Sequence, residues 1–341
     1  MPDATPSDAN AADVTLSIAQ ADGARETGTV LDRIVADRRV RLAEDRIAVP
    51  ASEFAELEAS LPGARVDFIA RLREGRLAAP VGARLRLIAE IKRASPSKGM
   101  FDEHLDAEAQ ALRYAAAGAS AISVLTEPSF FRGSIADLRA ARGAFRQDTD
   151  RPALLRKDFI FDPYQVREAR ANGADALLLI VMMLTPEALR ELIALTRAEG
   201  MEPLVEVHDA VEFEAAIAAG ARVIGVNNRD LRTFAEDLGT TERLAQLLPS
   251  GVTLVAESAI RLADDARRMA DAGASAILVG EALVTSEGHA GIAAKARELL
   301  LLGPAPGAPP PIPSPGRGPE PRPLDTAGEG EGGGSSAGVP Q

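Results

Sequence analysis

Two opposite charges at the end of an apolar run are the first residues in this chain that could do chemistry. The segment Leu87 to Phe101 reads LIAEIKRASPSKGMF, and its apolar run ends in alternating Glu90 and Lys92. Successive side chains of a strand point to opposite faces, so Glu90 and Lys92 would share one face and form a pair. Buried charged groups are costly unless partnered, so the pair indicates either a working site or a structural ion pair.

Polar side chains also follow the later apolar runs of the chain. These residues are Lys157, Glu206, Asn227, Arg229, Glu257, Ser258 and Glu281. A single buried charge can be a packing feature. Two carboxylates and two lysines that converge on one rim, however, have no structural role large enough to offset the cost of their desolvation. The pattern therefore favours a catalytic site built from acids and lysines over a purely structural cluster.

The elements that must position these residues are strands alternating with amphipathic helices. Four segments have a helix-ending glycine before an apolar run, namely AAAGASAISVLTE, ANGADALLLIVMM, AAGARVIGVNNRD and DAGASAILVGE. Four further apolar runs, LRLIAEI, PALLRKD, PLVEV and VTLVAES, bring the predicted strands to eight. Eight β units with intervening helices predict an α/β fold, a closed (β/α)8 TIM barrel, whose active site lies at the carboxyl ends of the strands. An open doubly wound sheet usually has a glycine-rich dinucleotide turn, and this sequence has none.

The two ends of the chain differ in composition from the middle. We expect residues 1–28 to be a disordered N-terminal extension and residues 303–341 to be a disordered Pro/Gly-rich tail. The barrel domain would occupy residues 29–302. Between Val30 and about Pro80 two amphipathic helices precede the first strand, and they would cover the barrel bottom or help to bind substrate.

Composition narrows the class of protein. The chain has no cysteine, which excludes thiolate catalysis and Cys-ligated metals, and its three histidines are not spaced for a metal site. A net charge of -12 argues against a general nucleic-acid surface, and no apolar stretch is long enough to cross a bilayer. We expect a cytoplasmic enzyme that binds a small anion locally and has no nucleic-acid or membrane partner.

Six segments together resemble a known family. They are IAEIKRASPSKG, SVLTEPSFFRGS, LLRKDFIFDPYQV, PLVEVHD, IGVNNRDL and LVAES, in that order. Over about Val30 to Leu301 the chain resembles indole-3-glycerol phosphate synthase. The resemblance implies ring closure of 1-(2-carboxyphenylamino)-1-deoxyribulose 5-phosphate with loss of carbon dioxide and water, without a cofactor or metal.

The resemblance also implies the catalytic roles. Lys157 matches the principal general acid, and Lys92 matches the lysine that contacts the substrate carboxylate. Glu90 and Glu206 match the catalytic carboxylates. Asn227 would orient the sugar hydroxyls, and Ser258 is expected to belong to the same catalytic group. A lysine that works as an acid is most effective with a lowered pKa, and a carboxylic acid with a raised one.

The remaining predicted site residues would bind the substrate. Arg229 would clamp a carboxylate or pair with Glu206, and the resemblance offers no choice between these roles. The residues around the anthranilate ring would be Ser95, Pro96, Phe130, Phe131 and Phe159, and Leu231 and Glu257 are further expected substrate-binding residues. The phosphate would be held by loop residues Ala259, Gly280 and Glu281. Ala259 departs from the family, which usually has glycine there; its methyl group is tolerable at negative φ and strained in a left-handed conformation.

Three alternatives carry different signals. Phosphoribosylanthranilate isomerase commonly uses a catalytic cysteine, which is absent here. A Schiff-base aldolase would use Lys157 as its nucleophile. A silent barrel retained for binding would have lost Lys157 or Glu206, and both are present. We expect the enzyme to be a monomer or a weak homodimer acting on a phosphorylated small molecule.

Overall fold

The predicted eight strands form a closed parallel barrel. The computed structural model describes residues 23–302 except residues 97, 147 and 287, so the predictions for residues 1–22 and 303–341 lie outside the described residues. The barrel strands are β1 (Arg86–Ile91), β2 (Ala121–Leu125), β3 (Ala153–Lys157), β4 (Ala176–Ile180), β5 (Glu202–Val207), β6 (Val223–Asn227), β7 (Thr253–Glu257) and β8 (Ala276–Val279). Each strand pairs in parallel with its chain neighbours, and β8 closes on β1 with Arg86 opposite Ala276. The TIM-barrel prediction is confirmed.

Helices alternate with these strands and surround the barrel. They are α1 (Val30–Ala48), α2 (Phe54–Ala59), α3 (Phe68–Arg73), α4 (Ala107–Ala116), α5 (Ile135–Gly143), α6 (Pro163–Ala171), α7 (Pro186–Ala198), α8 (Ala210–Ala218), α9 (Gly239–Ala245), α10 (Ala263–Asp271), α11 (Glu281–Val284) and α12 (Gly288–Leu299). Short 3-10 turns lie at Ala51–Glu53 and Val181–Met183. Among the described residues, no helix is long and apolar enough to cross a membrane.

The ends of the helices are fixed by local signals in the sequence. The side chains of Asp106, Ser134 and Asp209 accept backbone N–H groups at the starts of α4, α5 and α8. The predicted terminating glycines, Gly118, Gly173, Gly220 and Gly273, have φ values of +95°, +95°, +87° and +96°. These left-handed residues end each helix and direct the chain into the next strand.

The leading helices divide between the two ends of the barrel. Leu31 and Ile34 of α1 line the cavity at the carboxyl ends of the strands. In α3, by contrast, Arg73 donates to Thr253 at the beginning of β7 with an N–O distance of 2.8 Å. The sequence predicted that these helices would either cover the barrel bottom or help to bind substrate. In the structure α3 lies at the bottom, and α1 lies at the cavity.

The described part of the chain includes residues that precede the predicted boundary at residue 29. The Arg25 N–H donates to the Met183 carbonyl at 2.8 Å, and the Thr185 N–H donates to the Gly23 carbonyl at 3.0 Å. Ala24 forms an isolated antiparallel bridge with Leu184. Residues 23–25 therefore pair with the segment after β4, although their composition resembles that of the residues before them.

Candidate active site

One cavity at the carboxyl ends of the strands brings the predicted site residues together. Apart from Phe130, all of them line it: Glu90, Lys92, Ser95, Pro96, Phe131, Lys157, Phe159, Glu206, Asn227, Arg229, Leu231, Glu257, Ser258, Ala259, Gly280 and Glu281. Parallel strands present all their carboxyl ends to the same side of a barrel, which is why residues far apart in sequence meet here.

Phe130 is the predicted site residue that the structure does not place on the cavity. The buried carboxylate of Glu127 accepts the backbone N–H groups of Ser129, Phe130 and Phe131 at 2.7–2.9 Å. These bonds turn the loop tightly. Phe131 faces the cavity and lies 6.1 Å from Phe159 between ring centroids, while Phe130 packs against the hydrophobic core.

Lys157 lies between two buried carboxylates. Its Nζ is 3.6 Å from Glu206 Oε2 and 3.6 Å from Glu257 Oε2, beyond the usual hydrogen-bond distance. A side chain added at Gly225 would place its Cβ 2.0 Å from Glu257 Oε1, so this strand position must be glycine for Glu257 to occupy its place. The arrangement holds Lys157 by charge, and its side chain stays 17% exposed at the cavity wall.

The predicted pair of Glu90 and Lys92 is present beside this group. Lys92 Nζ lies 2.9 Å from Glu90 Oε1, and Lys92 also lies 5.5 Å from the centroid of the Phe101 ring. A Cβ at Gly280 would come within 2.5 Å of Glu90 Oε1 and 2.9 Å of Lys92 Nζ. Gly280 thus makes room for the pair. We call Glu90, Lys92, Lys157, Glu206 and Glu257 the mouth cluster.

Charges in the mouth cluster shift one another's ionisation. Burial alone would lower the pKa of Lys157, but Glu257, Glu206 and Glu90 outweigh it and raise that pKa above its ordinary value. Burial would raise the pKa of Glu90, but Lys92 and Lys157 lower it on balance. Burial raises the pKa of Glu257 to about 8, an effect that Lys157 opposes and that Glu206 and Glu90 strengthen.

These directions differ from those that the sequence suggested. A lysine acid with a lowered pKa and a raised pKa at one of the two predicted acids were expected. The structure instead keeps Lys157 protonated, because three carboxylates surround it, and gives the raised carboxyl pKa to Glu257. Glu257 was expected only to bind substrate.

The end of β3 is anchored to α1 through Asp158. Asp158 accepts from Thr126 Oγ1 at 2.7 Å, from Arg156 at 2.9 Å and from Arg38 of α1 at 3.3 Å. Burial would raise the pKa of Asp158, but Arg38 and Arg156 lower it on balance. This buried network fixes the backbone on both sides of Lys157, so the position of the lysine depends on Arg38, Thr126 and Arg156, which do not line the cavity.

Arg229 has an ion-pair partner that the sequence did not predict. Its Nη2 lies 2.6 Å from Glu236 Oε1, and Arg261 Nη2 lies 2.7 Å from the other oxygen of Glu236. Arg229 and Arg261 both line the cavity. Glu236 therefore joins the loops that follow β6 and β7 at the rim.

The predicted phosphate loop contains backbone strain. Ser258 and Ala259, which follow β7, have φ values of +64° and +61°. Left-handed angles are costly for residues with a Cβ. Ala259 therefore adopts the conformation in which its methyl group was expected to cause strain. Glu281 at the start of α11 lies 3.5 Å from Lys98, which partly neutralises a carboxylate in this corner of the cavity.

Several cavity or neighbouring residues were missed at the sequence level. Val30, Leu31 and Ile34 of α1 line the cavity, and their helical spacing gave no sign of which face would turn inward. His208 lies behind Glu206, with a side chain only 4% exposed. The two-residue spacing from Glu206 to His208, the same as from Glu90 to Lys92, was the signal that could have found it.

Comparison with known proteins identifies the family. The family model described as indole-3-glycerol phosphate synthase matches residues 31–297, which is most of the chain. This chain belongs to the indole-3-glycerol phosphate synthase family. The TIM barrel, the mouth cluster and the family match thus agree.

Individual relatives support the same assignment. The indole-3-glycerol phosphate synthase of Roseiflexus sp. (strain RS-1) is 50% identical over 274 residues, covering 80% of this chain and 98% of that protein. The synthase of Dehalococcoides mccartyi (strain CBDB1) is 46% identical, covering 80% of this chain and 100% of that protein. A multifunctional tryptophan biosynthesis protein of Schizosaccharomyces pombe is 47% identical over 82% of this chain, which spans 36% of that longer protein.

Proposed function

We propose that the mouth cluster catalyses the closure of the indole ring in tryptophan biosynthesis. The substrate would be 1-(2-carboxyphenylamino)-1-deoxyribulose 5-phosphate, and the products indole-3-glycerol phosphate, carbon dioxide and water. The observation that carries the proposal is the position of Lys157 Nζ, 3.6 Å from both Glu206 and Glu257 inside the cavity. We expect the enzyme to work in the cytoplasm as a monomer or a weak homodimer.

Lys157 is suited to protonate the ketone oxygen in the first step. As the aryl carbon attacks the ketone carbon, the carbonyl electron pair moves onto oxygen, and Lys157 transfers a proton to it. The carboxylate then leaves as carbon dioxide, and its bonding electrons return to the aromatic ring. Lys92, beside Glu90, would hold that carboxylate until it departs.

Dehydration needs an acid for the departing hydroxyl and a base for the proton that is lost. A carboxyl group with a pKa near the working pH serves as an acid, and the raised pKa of Glu257 supports that role. Glu206 and Glu90 would accept protons. Asn227 donates to Glu206 Oε1 at 3.2 Å and would orient both that carboxylate and the sugar hydroxyls, with Ser258 beside them.

The substrate-binding roles follow the shape of the cavity. Phe131 and Phe159 offer an apolar surface for the anthranilate ring, with Ser95, Pro96 and Leu231 on the walls. Arg229 would clamp a carboxylate by its fork geometry once it exchanges its contact with Glu236. The loop amides at Ala259, Gly280 and Glu281 would hold the phosphate.

A Schiff-base mechanism is less well supported. An attacking lysine must be a neutral amine, and the surrounding carboxylates raise the pKa of Lys157 and hold it protonated. This argues for Lys157 as a proton donor.

The direct test is to add the proposed substrate and follow the growth of indole fluorescence. We expect product with the wild-type protein and almost none with Lys157→Ala. Borohydride added during turnover separates the alternatives, since it would trap a covalent adduct only in a Schiff-base enzyme. Absence of indole product from well-folded wild-type protein would overturn the proposal.

A further inference from the structure

His208 lies between two carboxylates behind the cavity wall. Its Nδ1 is 3.0 Å from Glu212 Oε2 on α8, and its Nε2 is 3.4 Å from Glu206 Oε1 on β5. The side chain of His208 is 4% exposed and those of Glu206 and Glu212 are 3% and 10% exposed. His208 is not among the residues lining the cavity. It therefore affects chemistry through neighbouring side chains that line the cavity, of which Glu206 is in direct contact with it.

Proton counting shows what this geometry requires. A neutral imidazole has one N–H group, so one of its nitrogens would direct a lone pair at a carboxylate. Both tautomers have this defect when Glu206 and Glu212 are ionised. The conflict disappears if the ring carries both protons, or if Glu206 carries one and turns it toward Nε2. In either case a proton on one of the two groups faces the other across 3.4 Å, a distance at which His208 and Glu206 attract each other without forming a hydrogen bond.

Further contacts hold Glu212, His208 and Glu206 in place. The backbone N–H of His208 donates to Glu212 Oε2 at 2.8 Å, and the Glu212 N–H donates to Asp209 at the start of α8. On the cavity side, Glu206 Oε1 accepts from Asn227 of β6, and Glu206 Oε2 faces Lys157 of β3. Burial would lower the pKa of His208, but Glu212, Glu206 and Glu257 of β7 raise it on balance.

We propose that His208 is a positioning residue that holds the Glu206 carboxylate toward Lys157 through the charge on its imidazole ring. This inference rests on the proposed function of Glu206. Each time Glu206 exchanges a proton with substrate, His208 would keep its carboxylate oriented and adjust its charge. Loss of the His208 proton at high pH would remove the positive charge that faces Glu206 and lower turnover.

Kinetics distinguish this role from simple packing. His208→Phe keeps a buried ring and removes both nitrogens, so we expect turnover to fall about 10- to 100-fold, with little change in KM. Glu212→Gln keeps His208 but removes the carboxylate that favours its charged form, so the alkaline limb of the turnover profile should move to lower pH. His104→Phe, the same substitution at an exposed histidine, is the control and should leave the profile unchanged.

Nitrogen NMR on the full chain tests the protonation state of His208 without an activity assay. With ¹⁵N-labelled histidine, the imidazole signals that disappear in His208→Phe identify His208. If His208→Phe does not fold, the signals that alone shift in Glu212→Gln identify it instead. In wild-type protein they should show a doubly protonated ring above the ordinary histidine pKa, and in Glu212→Gln this range should shrink.

The inference fails if His208 titrates at the ordinary value in both proteins, or if its substitution lowers turnover equally at every pH. These results are separable from the proposed function. A wild-type protein that makes no indole product but shows the doubly protonated ring would overturn the reaction assignment and leave the charged state of His208 confirmed.

Discussion

Buried charges occur at both ends of this barrel, and their geometry differs. At the amino-terminal end Arg151 and Asp175, each 1% exposed, form a two-bond ion pair at 2.6 and 2.8 Å. Asp175 also accepts the backbone N–H groups of Leu154 and Val66. In the mouth cluster, by contrast, Lys157 lies 3.6 Å from each of two carboxylates.

The comparison shows that burial of charge alone does not indicate a working site. At the amino-terminal end the acid and the base match, and their bonds join the starts of β3 and β4 to the leading helices. At the mouth three carboxylates share two lysines, and Glu257 takes a raised pKa because it is buried beside Glu206 and Glu90 with only Lys157 to oppose the effect. Charge that the fold leaves poorly compensated is available to a substrate.

The largest expected effect concerns the mouth. Lys157→Ala should lower turnover by about 10²- to 10⁴-fold, the usual contribution of general acid catalysis, while KM changes less than about tenfold. Lys157→Arg sharpens the test, because guanidinium keeps the charge but its planar fork cannot place an N–H donor where the compact ammonium group lies. Steady-state kinetics, with urea unfolding as the control for folding, measures both. More than a tenth of wild-type turnover in either variant contradicts the assignment.

The matching change at the other end should affect stability instead. Arg151→Met leaves Asp175 buried without its ion-pair partner, and we expect the free energy of unfolding to fall by about 3–5 kcal/mol with turnover nearly unchanged. Arg190→Met, at an exposed pair on α7, is the control and should cost less than about 1 kcal/mol. A loss of turnover without a loss of stability in Arg151→Met would erase the proposed difference between the two ends.

A smaller effect is expected in the phosphate loop. Because φ at Ala259 is +61°, Ala259→Gly should relieve strain and raise the free energy of unfolding by about 1 kcal/mol, which outweighs the entropy that glycine adds to the unfolded chain. If the methyl group also crowds the phosphate, KM should fall by up to about fivefold at constant turnover. Urea unfolding and initial rates measure the two effects. Lower stability or weaker binding would mean that the loop has adapted to alanine.

Much of the fold and site could be predicted because both depend on periodicity. Apolar runs alternating with capped helices fixed the number and direction of strands, and the two-residue period placed Glu90 beside Lys92. The carboxyl ends of parallel strands necessarily meet, so the convergence of Lys157, Glu206 and Glu257 followed from the barrel.

Other features depend on contacts between loops, and no periodic pattern in the sequence tells which loop residues meet. The joining of Arg229 and Arg261 by Glu236 is of this kind, as is the turn around Glu127 that directs Phe130 away from the cavity. Ionisation was also beyond prediction, because the pKa of Glu257 depends on distances to several charges at once.

The most direct test of the account compares the pH dependence of unfolding for wild-type protein and Glu257→Gln. The pKa of Glu257 is raised from its ordinary 4.5 to about 8, so between these values the folded protein binds more protons than the unfolded chain. Stability contributed by this carboxyl is then lost as pH rises, at no more than about 1.4 kcal/mol per pH unit. Glu103→Gln, at an exposed position, controls for the change in net charge.

Urea unfolding from pH 5 to pH 9 gives the required curves. We expect the free energy of unfolding of the wild type to fall relative to that of Glu257→Gln as pH rises to about 8 and then to keep a constant difference. Glu103→Gln should follow the wild type throughout. Parallel curves for wild type and Glu257→Gln, or a variant that loses stability at every pH, would contradict the claim that the mouth carries poorly compensated charge.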